Sequence, residues 1–217
     1  MSNTPWIGLP SRIGGEAEQW KQHLWQALCN LRVACPGIIQ SWDLTTHPQT
    51  VTVKLAIREN ININLVPTPT EIPVITVPFQ VVRSGGYLLT LPIAQGDECL
   101  VIFADNDWHA WFQNGGVQNQ IKRRRHNLND GFALLGVYSQ PRNISNYSTT
   151  TAQLRTEDGS KYIEVSASGI NIVGNVNVTG TITASGEVTG NSIKLTQHVH
   201  QYVPGSGTPT NTATPTG

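Results

Sequence analysis

His198-Val199-His200 is the pattern in this 217-residue sequence with the most definite chemistry. In an extended chain residues i and i+2 face the same side, so both imidazoles project together while Val199 turns away. Two nitrogens from one chain make a poor metal site. Three chains meeting on an axis would supply six, a set that satisfies an octahedral transition-metal ion and does not suit tetrahedral structural zinc. Fe2+ is a natural occupant, although affinity alone favours Ni2+ or Cu2+. A saturated ion leaves no position for a substrate, so its role would be structural. His-x-His pairs are common on protein surfaces; this one gains meaning from the segment it terminates.

Two other clusters could carry chemistry. Asp105, Asp107 and His109 alternate in FADNDWHAWF and could be taken for a metal cluster. The simpler reading is a polar hairpin tip between ECLVIF and WHAWFQ, with Trp108 and Trp111 covering a barrel. Lys122-Arg123-Arg124-Arg125-His126 is the basic run of the chain. On a small barrel such a patch invites a nucleic-acid reading, but no stacking aromatics flank it closely and the net charge is zero. A solvated loop between two strands is expected, which in a trimer would present a ring of about nine guanidinium groups from the three arginines per chain. Glycine-serine elbows, phosphate-binding loops, dinucleotide fingerprints and zinc-protease motifs are absent. Beyond residue 150 the acidic residues are Glu157, Asp158, Glu164 and Glu187, too sparse for a paired-carboxylate glycosidase. The sequence therefore predicts no enzyme.

The elements that must position these residues fall into two chemically different halves. All six Trp and all four Phe precede residue 150, and no Met or Cys follows it. The first half can build a core from aromatic side chains; the second, rich in Thr, Ser, Gly, Asn, Val and Ile, cannot. Residues 16–31 place Trp20, Leu24, Leu28 and Leu31 at helical spacing, with Trp25 and Ala27 widening the stripe. This short helix should pack on its own domain, the alternative being a docking helix for another component. TVTVKLAI aligns Val51, Val53, Leu55 and Ile57 by strict alternation. PVITVPFQVV (73–82), GYLLTLPI (86–93), ECLVIFAD (98–105) and GFALLGV (131–137) add short strands broken by Gly, Pro and Asn. About 100 residues with five or six such strands suggest a partly open, five-stranded OB-fold barrel.

From 160 to 200 short strands recur with a turn every four to six residues. Ile163 with Val165, Ile170 with Ile172, Val176 with Val178, then Ile182, Val188, and Ile193 with Leu195 are the inward candidates. So short a segment, with only small branched apolar side chains, cannot bury a core alone. Three copies wound about one axis would cover these side chains and pair every strand edge. The expected fold class is therefore all-β: an N-terminal segment with an amphipathic helix (1–32), an OB-fold domain (33–148), an intertwined trimeric β-helix (149–195) and a metal-binding apex (196–217).

Charged residues make up 13% of the chain and apolar residues 38%, and the net charge is zero, so no global field recruits nucleic acid or anionic lipid. No apolar run is long enough to span a membrane as a helix, and the first residues lack the pattern of a secretory signal. Cys29, Cys35 and Cys99 have no metal-ligand spacing and are expected to be small buried residues in a reducing compartment.

Three features together resemble a known family. These are Ala34-Cys35-Pro36-Gly37-Ile38-Ile39 leading into a barrel, the DNDWHAWFQNGG segment (105–116), and a β-prism ending in His-Val-His before a Pro/Gly/Thr-rich tail. They resemble the central spike proteins of contractile-tailed phages, more narrowly the membrane-puncturing spikes that lack a lysozyme domain. The resemblance implies a homotrimer at the virion's tail tip, made in the host cytoplasm. Its OB collar would face baseplate hub and tail tube proteins, and its intertwined β-helix would cross the host outer membrane without binding specific nucleic acid. It also implies an apex closed by one Fe2+ per trimer, with His198 and His200 as ligands. Gln201-Tyr202-Val203-Pro204 departs from the family pattern after the second histidine and leaves the path of 201–217 open. The tip of a related bacterial injection machine and a receptor-binding fibre or adhesin remain the alternative readings.

Overall fold

A computed structural model of the protein describes residues 15–43, 45, 49–63, 66–202, 205 and 210–213. It divides into two compact units, Met1–Asn143 and Ile144–Gly217. The predicted helix is present as α1, Glu16–Asn30. None of its residues is buried.

Among the described residues nine strands follow in the first unit: β1 (Ala34–Asp43), β2 (Thr50–Leu55), β3 (Glu59–Ile63), β4 (Val66–Thr70), β5 (Ile75–Pro78), β6 (Val82–Ser84), β7 (Tyr87–Leu89), β8 (Glu98–Phe103) and β9 (Gly131–Leu135). Five of them form one sheet in the order β5-β2-β1-β8-β9, its neighbours pairing antiparallel. The outer strands approach each other through a parallel bridge between Phe79 and Ala133, curling the sheet into a partly closed barrel. β1 serves both halves. Its residues 34–38 pair with β8, and a register shift between Ile39 and Ser41 redirects the rest onto β2 alone. Such a bulge bends the strand and sharpens its twist, as a small barrel requires.

Alternation fills the interior. Val51, Val53 and Leu55 from β2, Ile75 and Val77 from β5, and Cys99, Val101 and Phe103 from β8 point inward with Ile39, Ile93 and Ala133. Ile57, placed by alternation on the same face, lies beyond the end of β2 and is exposed. The core is aliphatic, contrary to the aromatic core expected from composition. Phe103 is its only buried aromatic among the described residues, and Trp20, Trp25, Trp42 and Trp111 are exposed. A barrel this narrow takes β-branched side chains and has no room for indoles. Of the cysteines only Cys99 is buried, and burial pushes its thiol up to about 11; Cys29 is exposed and Cys35 half-buried.

Several boundaries differ from those the sequence suggested. PVITVPFQVV splits into β5 and β6, and GYLLTLPI keeps only β7, which pairs with β6 as an exposed hairpin. The β3–β4 hairpin was hidden by Pro67 and Pro69, residues a strand tolerates at an edge. WHAWFQ is not a strand at all; it forms the short helix α2, His109–Asn114.

Gly37 is fixed by close approach. A Cβ there would lie 2.4 Å from Val53 Cγ1 and 3.3 Å from Cys99 Sγ. Gly37→Ala is therefore expected to destabilise the barrel by about 1–3 kcal/mol, the usual cost of overpacking. Gly15→Ala, with open space around it, should be nearly neutral. Urea midpoints followed by tryptophan fluorescence check both.

Candidate functional site: an uncovered apolar sheet and the terminal histidines

The second unit opens with three strands: β10 (Ala152–Arg155), β11 (Tyr162–Ser166) and β12 (Gly169–Val173). Their antiparallel register sets Leu154 beside Ile163 beside Ile172, and Ala152 beside Val165 beside Ile170. These six share one face. The opposite face carries Gln153, Glu164 and Asn171 beside Arg155, Tyr162 and Val173, and on it the Glu164 carboxylate accepts from Gln153 at 2.8 Å, Thr151 at 3.1 Å and Asn171 at 3.4 Å. Those bonds, Gln153 foremost, hold the Glu164 carboxyl below its ordinary value. The apolar face has no such cover, and Ile170 is 71% exposed. Among the described residues of this unit, none is buried.

Beyond β12 the expected repeat of strands is not formed within the single chain. Residues 174–188 contain no strand, and β13 (Thr189–Gly190) with β14 (Ile193–Lys194) make only a minimal hairpin. Val176, Val178, Ile182, Val188, Ile193 and Leu195 are all exposed. A strand needs a partner for its backbone hydrogen bonds, and within one chain the backbone bond to this stretch is at its end, from Leu195 N–H to Val188 O at 2.8 Å.

His198 and His200 follow a tight turn rather than lying in a strand, which corrects the extended geometry assumed from the sequence. The backbone N–H groups of Gln197 and His198 both donate to Lys194 O, at 3.2 and 3.0 Å. Glu187 holds the turn through the hydroxyl and N–H of Thr196, and this hydroxyl contact is the main reason its carboxyl is lowered. The two rings nevertheless come together, with centroids 5.3 Å apart and planes perpendicular. His198 Nδ1 lies 2.7 Å from Leu195 O, so the tautomer that donates there leaves Nε2 with a free lone pair. The tail then returns. β15 (Gln201–Tyr202) pairs with β16 (Thr210–Asn211), Thr212 N–H donates to His200 O at 2.8 Å, and His200 N–H donates to Thr212 Oγ1 at 2.9 Å. The rest of the path expected for 201–217 lies outside the described residues.

In the first unit the sequence brought Asp107 and His109 to notice, and the structure adds Arg124 and Asp130. The carboxylates of Asp107 and Asp130 are 2% and 0% exposed. Asp107, His109 and Asp130 could converge on a cation, but Arg124 is already there. Its Nε and terminal nitrogen donate to Asp130 at 2.6 and 2.7 Å, and it approaches Asp107 Oδ1 at 3.4 Å. Burial pushes the Asp107 carboxyl up, yet the backbone N–H groups of Lys122 and His109, the His109 ring and Arg124 together bring it below its ordinary value. Trp108 stacks on His109 at 4.7 Å and lies against Phe112 and Phe132. The cluster is a buried ion-pair staple that ties α2 and the basic loop to the start of β9. Asp105 stays outside it and pairs with Arg125. Two of the three arginines are thus engaged internally, which reduces the expected ring of guanidinium groups. The signal for this staple was Asp130-Gly131 at a strand start, too common a pair to stand out.

Residues 35–136 match the family model described as the phage protein Gp138 N-terminal domain. No curated protein matches the chain. The match covers the barrel with its ion-pair staple and includes nothing of the second unit. It supports a phage structural protein of the tail or baseplate, carried in the virion and associated with other tail components. No helix among the described residues is long and apolar enough to cross a membrane.

Arg124→Met is expected to cost about 3–5 kcal/mol, the range for removing one partner of a buried ion pair. The lowered Asp107 contributes stability that is complete above the unfolded aspartate value of about 3.9 and is lost as pH falls through the lower folded value. Thermal midpoints should hold steady above that point and drop below it, with a shallower drop in Asp107→Asn.

Proposed function

We propose that the protein is the central spike of a contractile phage tail, a homotrimer that pierces the host outer membrane mechanically. Its barrels, read as OB folds, dock on baseplate hub and tail tube proteins, and its second units wind together as the shaft. The observation that carries this reading is the six-residue apolar face of β10–β12, continued by exposed apolar side chains to Leu195 in a unit whose described residues include no buried one. Two further copies related by three-fold symmetry would cover that face and offer strand pairing to 174–188, which forms no strand within one chain. Interchain pairing would also give the stiffness needed to transmit force.

At the terminus, His198 and His200 of each chain are proposed to hold one Fe2+ per trimer. The donor set fits: two close imidazoles, one with its Nδ1 directed at a backbone carbonyl, the arrangement that orients metal-binding histidines through their outer contacts. The ion would act as a structural clamp where fraying would otherwise begin. The protein is proposed to have no enzymatic activity; peptidoglycan or capsule cleared by purified protein, and spared by a point mutant, would argue otherwise.

Sedimentation equilibrium at micromolar concentration should give three times the 23.7 kDa chain mass; a monomer would end the spike reading. His198→Ala with His200→Ala should abolish bound iron, read by elemental analysis as about one ion per three chains before substitution, while leaving the trimer intact. A ratio of one metal per chain would contradict the shared site.

A further inference from the structure

Lys122 and Arg123 stand apart from the rest of the basic run. Arg124 and Arg125 are engaged by Asp130, Asp107 and Asp105. The side chains of Lys122 and Arg123 are exposed and form no hydrogen bond or ion pair among the described residues. Val117 and Ile121, just before them in the chain, are exposed as well. The loop that carries these four residues is nevertheless held in one shape. Lys122 N–H donates to Asp107 Oδ2 at 2.8 Å, and Gln120 Nε2 donates to Lys122 O at 2.6 Å. Gln118 Nε2 donates to Gly115 O at 2.8 Å, and His126 N–H donates to Ala104 O at 3.2 Å. His126 itself sits at φ 48°, in the left-handed region that non-glycine residues rarely adopt. A buried ion pair is seldom more stabilising than well-packed apolar side chains, but this one fixes a loop. A preformed loop binds without the entropic cost of being ordered.

The chain offers little counter-charge of its own. Among the described residues, Glu16 and Glu157 are the carboxylates without a hydrogen bond or ion pair; the others accept from partners within the chain. Nucleic acid fits the loop poorly. Tight binding to a phosphate backbone takes many cationic contacts, and residues 117–123 include no aromatic side chain on which a base could stack. Two apolar side chains beside two charges suit a protein surface, where an apolar centre is rimmed by polar groups.

We propose that residues 117–123 are a preformed docking loop that binds an acidic patch on a neighbouring tail protein. Val117 and Ile121 make its apolar contact, and Lys122 and Arg123 pair with carboxylates around it. This names the contact behind the barrel docking proposed above and rests on that reading.

Carbodiimide crosslinking of purified phage tails that contain the protein, read by peptide mass spectrometry, tests this. The reagent condenses a lysine amine with a carboxylate to an amide and leaves as its urea. Lys122 should be joined to an Asp or Glu of a different tail protein, a result read on the native sequence. Lys122→Glu with Arg123→Glu should lower the amount of this chain in tails several-fold, while Lys122→Arg with Arg123→Lys should keep it. A Lys122 that stays unlinked, or that joins only Glu16 or Glu157 of another copy, would overturn the docking loop. So would retardation of a DNA duplex by the purified protein that the double reversal abolishes. A trimer with Lys122 unlinked leaves the spike reading standing; a monomer whose Lys122 links to a tail protein keeps the loop and removes the spike.

Discussion

An amphipathic sheet with nothing to pack against governs the second unit. Its polar face is organised around Glu164 and its three donors. Its apolar face, from Leu154 to Ile172, remains in water. Each such side chain would gain on the order of 1.5–3 kcal/mol from full burial, so an isolated chain forgoes the dominant driving force for folding. The same deficit explains why 174–188 forms no strands: the backbone there has no partner strand within the chain.

The first unit obeys the opposite rule. Its barrel is completed by β-branched side chains from within one chain, with Gly37 admitting Val53 and Cys99 against β1. Two buried carboxylates, a cost in any interior, are held by Arg124, which bonds Asp130 twice, and by the backbone N–H groups of Lys122 and His109, which donate to Asp107. The residues that look most like a catalytic or metal centre thus serve to pin α2 and the basic loop. A self-sufficient barrel joined to a unit that is not self-sufficient suits a component anchored at one part and assembled with its own copies at another.

The barrel was legible because period-two alternation at Val51, Val53 and Leu55 and the run Glu98–Phe103 report burial directly. The helix α2 was misread because WHAWFQ has the aromatic content of a strand, while Gly115-Gly116 and the contacts of Trp108 decide the conformation. β10 escaped notice since Ala152–Arg155 is half polar, and its place follows only from its pairing with β11. His198 and His200 stand out in the sequence by type and spacing, but the turn before them depends on Glu187 and Lys194, contacts no local pattern encodes. Asp130 and Arg124 were missed for the same reason: their partnership depends on the tertiary fold.

Hydrogen exchange of backbone amides along 174–188 in the full-length protein tests the central claim most directly. A single chain offers these amides no strand pairing. If three chains intertwine, they should be protected over hours, to the same degree as amides in β2 and β8. Exchange within seconds across the whole segment would show that no neighbouring chain pairs with it, and would contradict the assembled shaft.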